Sequence, residues 1–75
     1  MDINFIKNSI EYWTNSLERA NNLIKQYNGM LRIARNRGDE WSVSHYTEWR
    51  ADAYKEKRTA QKYIKQYREM LARYE

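Results

Sequence analysis

The chain is expected to be all-α, an antiparallel two-helix, coiled-coil-like hairpin that dimerises into a four-helix bundle. Three observations predict this. Apolar or small residues recur at alternating intervals of three and four at Ile3, Ile6, Ile10, Trp13, Leu17, Ala20, Ile24, Tyr27, Leu31 and Ala34, a heptad seam along one helix face. The 75 residues hold no proline and only two glycines, Gly29 and Gly38, which leaves strands and tight turns little punctuation. A second seam follows with the same spacing, through Val43, Tyr46, Arg50, Ala53, Lys57, Ala60, Ile64, Tyr67, Leu71 and Tyr74.

The elements follow in order within a single domain spanning 1–75. Asp2 can accept from the free amides of the first helical turn, where a negative charge also suits the dipole. The first helix then reads from about residue 3 to 36. Asn28-Gly29 is its weak spot, because glycine in a helix interior costs about 1 kcal/mol relative to alanine. The seam nevertheless keeps its phase across it. Arg35, Asn36 and Arg37, then Gly38 and Asp39, supply cations for a helix end, a residue free to go left-handed and a cap for the next helix. The turn is placed at 37–39 and the second helix at about 40–74. Each helix would measure on the order of 50 Å.

Folding at Gly38 pairs residues whose numbers sum to about 77 in an antiparallel interface. Trp13 then meets Ile64, Leu17 meets Ala60, Ile24 meets Ala53, Leu31 meets Tyr46 and Ala34 meets Val43. Small faces large at several levels, as close packing requires. Arg50 and Lys57 fall on the seam, where long cations can lay their stems along it and lift their charges out. Residues 20–31 and 60–71 also echo each other, with Ile-Lys-Gln-Tyr and Met-Leu shared in place. Heptad constraint alone accounts for the apolar matches; the Lys-Gln match points to pseudo-twofold character.

With Ile24 and Ile64 set at heptad position a, the two flanks of the seam differ. The e row (Lys7, Thr14, Asn21, Asn28, Arg35, Thr47, Tyr54, Gln61, Arg68 and Glu75) is solvent-like. The g row carries Leu23, Met30, Trp49, Tyr63 and Met70, interrupted by Ser9, Ser16 and Glu56. Both g rows share one side of an antiparallel pair, so this side presents an apolar surface wider than two helices can use. A second copy is the first expectation for what covers it, giving a homodimer. A different protein is the next.

Composition bounds the function. There is no cysteine, hence no disulfide and no thiolate metal site, which is compatible with a reducing compartment. No apolar run approaches the roughly 18 residues of a membrane span, and the start lacks the pattern of a signal peptide. The expectation is a soluble, cytoplasmic protein with no membrane role. Fourteen basic and 10 acidic side chains give a net charge of +4, which permits nucleic acid or acidic partners without requiring them. Three Trp and seven Tyr bring large apolar bodies with polar tips, suited to cores and interfaces.

Catalysis finds little support. His45 is the only histidine, and with Glu48 and Asp52 it could approach a metal from one helical face, but no second histidine completes a site. Neither a nucleophile and base pair nor a phosphate loop is present. The chain is therefore expected to be no enzyme and to need no cofactor or metal. The basic residues Lys55, Arg58, Lys62 and Lys65 form an outward stripe on the second helix, able to follow a phosphate backbone. Arg32, Arg35 and Arg37 crowd the turn beside Trp41; they complement a helix dipole, and with Trp41 could also engage an acidic partner.

The function expected is that of a non-enzymatic interaction module, a small inhibitor or adaptor of the kind phages and mobile elements encode. It would bind a larger protein complex through the aromatic flank. The alternative is a nucleic-acid-binding hairpin that uses the basic stripe.

Overall fold

The computed structural model describes residues 2–74, and these form two long helices, α1 (Ile3–Arg37) and α2 (Glu40–Tyr74), each of 35 residues. The ends follow local chemistry. Asp2 lies outside the helix with extended backbone, and its Oδ1 accepts from the Asn4 amide at 3.1 Å, satisfying one of the donors a helix start leaves free. At the other end Gly38 adopts φ 69°, a left-handed conformation that costs glycine nothing. Its amide donates to the Arg35 carbonyl at 3.2 Å, and the Asp39 amide donates to the Ala34 carbonyl at 2.9 Å. This pair of bonds is a Schellman closure.

Asp39 then starts α2 with no intervening loop. Its carboxylate accepts from the Ser42 amide at 3.1 Å and from the Ser42 hydroxyl at 2.6 Å. Those bonds, the hydroxyl's first, hold the Asp39 carboxyl below its ordinary value, with the Arg37 charge adding a smaller push in the same direction. Gly29 does not interrupt α1, and a Cβ there would meet nothing within 4 Å. Glycine's entropic cost at one position is small against the packing of the whole face.

The helices lie antiparallel as a rod of 55 × 13 × 13 Å. The radius of gyration, 16.8 Å, exceeds the roughly 11 Å of a compact domain of this length. Buried residues are Ile6, Ala20, Ile24, Leu31 and Ala34 from α1 with Ala53, Ala60 and Ile64 from α2. All are seam positions. Alanine supplies as many of them as the larger aliphatics do, so the helices approach closely over a thin core. The remaining seam residues are half-buried, except Tyr74 in the last turn, which is 52% exposed.

Cross-helix contacts fix the register. Trp13 stacks on Tyr63 with ring centroids 4.7 Å apart, Tyr27 lies 6.3 Å from Trp49, and Arg50 Nη1 donates to Asn28 Oδ1 at 2.8 Å. Each pair is within one residue of the expected pairing sum. Arg50 also shows how a cation occupies the seam: the residue is half-buried, and its guanidinium emerges onto the e side to reach an amide.

Candidate functional site

The two flanks differ in exposure as well as in composition. Every described residue of the e row, from Lys7 to Arg35 and from Thr47 to Arg68, is exposed. In the g row Ser9, Ser16, Leu23, Ser42, Tyr63 and Met70 are half-buried, while Met30 and Trp49 are 40% and 41% exposed. Large g side chains fold over the seam and shelter their own flank. Their outer faces remain open to solvent.

Of the predicted interface residues, Met30 and Trp49 gather near the turn, where Tyr27 and Tyr46 pack against Trp49. His45 extends the cluster: its ring stacks on Trp41 at 3.9 Å and meets the edge of Trp49 at 5.9 Å, and its Nδ1 lies 2.8 Å from the Trp41 carbonyl. Tyr63 and Met70 sit toward the open end. There Tyr63 serves the hairpin itself through its stack on Trp13, whose ring also meets the Tyr12 ring edge-on at 5.0 Å. Leu23 lies between the two clusters in an open groove that it lines with Ser16, Glu56 and Thr59. Tyr12, Trp13, Arg19, Asp52 and Lys55 line it as well.

Reading the g row alone passes over three residues. Phe5, Tyr12 and Ile33 are 50%, 61% and 52% exposed. All occupy position c of α1, which adjoins g on a helical wheel. The signal was in the sequence, one position further round the helix. They widen the apolar flank at both ends, and Phe5 also approaches the Tyr67 ring at 6.3 Å. One aromatic, Tyr54, departs from the polar character of the e row at 39% exposure.

The basic residues lie on exposed positions around the clusters. Lys55, Arg58, Lys62, Lys65 and Arg68 are all exposed along α2, and Lys62 Nζ stands 5.9 Å from the centre of the Tyr63 ring. Arg32, Arg35 and Arg37 are exposed near the turn, as is Trp41 at 65%. Among the described residues no three histidine, aspartate or glutamate side chains converge to hold a metal, and no helix is long and apolar enough to cross a membrane. Comparison with protein families, characterised proteins and solved structures finds no match to this chain.

Proposed function

We propose that the hairpin is a non-enzymatic protein-interaction module that works by laying its g flank against another protein surface, as a small inhibitor or adaptor of a larger complex. One observation carries the reading. A stiff rod with a thin core keeps Met30, Trp49, Phe5, Tyr12 and Ile33 substantially exposed on one side, while the other side is polar apart from Tyr54. Aromatic and methionine side chains on an open face are the composition of interface centres. Self-association through the same flank, giving a four-helix bundle, is part of this reading. Affinity capture from the native host checks it. Wild-type protein should recover a specific partner protein, Trp49→Glu should lose it, and Gln61→Glu on the opposite flank should retain it. Equal recovery by all three removes the flank from the reading.

A second reading is favoured by the exposed row of Lys55, Arg58, Lys62 and Lys65: a hairpin that follows a nucleic-acid backbone with α2. Cations on one helix face neutralise successive phosphates, and affinity then falls steeply with salt. Replacing all four by glutamate should abolish retention on single- or double-stranded nucleic acid at low salt. Absence of binding by the wild type at low salt excludes this reading.

A further inference from the structure

We infer that the g flank is covered by a second copy of this chain lying with its turn beside the first copy's turn, so that a twofold axis runs along the length of the bundle. The inference rests on the flank being a docking surface and adds the occupant and its direction. Surface area supports a partner as long as the rod itself. The hairpin exposes 5848 Å², whereas a compact monomer of its mass exposes about 5,000 Å². The excess, about 850 Å², is close to the roughly 800 Å² each partner contributes to a stable interface. A flank extending along a rod 55 Å long and 13 Å wide supplies that area only if it is used from end to end, and another hairpin alongside does so.

Two twofold arrangements stack g flank on g flank. An axis across the rods puts the turns at opposite ends and sets α1 over α1 and α2 over α2. An axis along the rods puts the turns together and sets each α1 over the other copy's α2. Size does not separate them, since the small Ser9 and Ser16 can face large residues in either case. Charge does. The midpoints of the helices fall at Ala20 and Lys57, and an axis crossing there forces every residue near it to face its own copy. Arg19 would oppose Arg19, and Glu56 would oppose Glu56 where the g rows meet. Like charges brought together at an interface count heavily against an arrangement.

With the axis along the rods, Arg19 of each copy stands over Glu56 of the other, since both line the central groove and their numbers fall within about two residues of the pairing sum. Two charge-assisted pairs then span the middle of the interface. On the turn side, Met30 and Ile33 of one copy meet the Trp49 and His45 cluster of the other, apolar against aromatic. The same direction brings both copies of Trp41 to one end of the bundle.

Spin-label distances test the direction. The chain has no cysteine, so Asn36→Cys near the turn and Asn8→Cys near the open end each give one label, at sites that are exposed on α1 and away from the g flank. Turns together predict short same-site distances in both variants, under about 30 Å across a four-helix bundle, and a mixed dimer separated by about 40 Å or more along the axis. Long same-site and short mixed distances overturn the inference. A monomer in sedimentation at high micromolar concentration overturns it as well. That last result leaves the flank's role toward another protein standing, because capture by wild type and loss in Trp49→Glu decide that role independently.

Discussion

The e and g rows belong to the same two helices and flank the same seam, yet every described e residue is exposed while most g residues are half-buried. The heptad gives both rows equal access to the core. Helix packing and side-chain type together separate them, since even the small polar Ser9, Ser16 and Ser42 of the g row are half-buried. Threonine, asparagine and lysine on the e side gain nothing by leaving water, whereas Leu23, Tyr63 and Met70 on the g side withdraw apolar area from water by packing against the seam. Met30 and Trp49 in the same row, and Trp41 further round the helix, stay open. A regular repeat therefore specifies the seam, and the width of its apolar stripe specifies which side keeps apolar area exposed.

The most severe test removes the seam on which both flanks depend. Leu31 is 1% exposed, and Leu31→Ala should cost about 2–5 kcal/mol, read as a lowered urea midpoint. A far smaller loss would show that the seam tolerates collapse there. Next comes a pair of neighbours on opposite flanks. Met30→Glu places a charge on the proposed docking side and should weaken self-association by tenfold or more, about 1.4 kcal/mol per tenfold. Asn28→Glu should leave association intact and keep a partner for Arg50. Sedimentation equilibrium compares them, and equal effects would erase the distinction between flanks.

Gly29→Ala touches neither flank. Nothing lies within 4 Å of the added methyl, so the variant should gain about 0.5–1 kcal/mol and melt a few degrees higher with unchanged association. A drop in melting temperature would mean α1 needs its glycine. The smallest effect belongs to Asp39. Its carboxyl titrates below its ordinary value in the folded chain because Ser42 donates to it. The stabilisation is thus present above the unfolded value, 3.8, and disappears as pH falls through the folded value. Asp39→Asn should melt lower than wild type at neutral pH, and the difference should shrink in acid. A difference independent of pH would assign the cap to the neutral side chain.

Much of the fold is legible residue by residue. Asp2, Gly38 and Asp39 act within a few residues of themselves, so caps and turn follow from local chemistry. Gly29 shows the limit of such reading in the other direction, since a turn dipeptide stays helical when the flanking seam is in phase. The site is legible only in part. Met30 and Trp49 lie open as a heptad wheel suggests, but Tyr63 spends one face on Trp13, and Phe5, Tyr12 and Ile33 join from a row that a g-only reading ignores. Which face of a large ring is used depends on the roll of one helix against the other, and periodicity does not encode that angle.

By itself, then, the sequence determined two helices, their direction, their turn and the pairing of their numbers. Periodicity and capping are properties of neighbours along the chain, and a short connection leaves antiparallel packing as the compact choice. Only the tertiary structure decided that Tyr63 stacks on Trp13, that His45 bridges Trp41 and Trp49, and that Arg19 and Glu56 share one groove. Those outcomes depend on side-chain volume across the seam, where residues far apart in the chain compete for the same space.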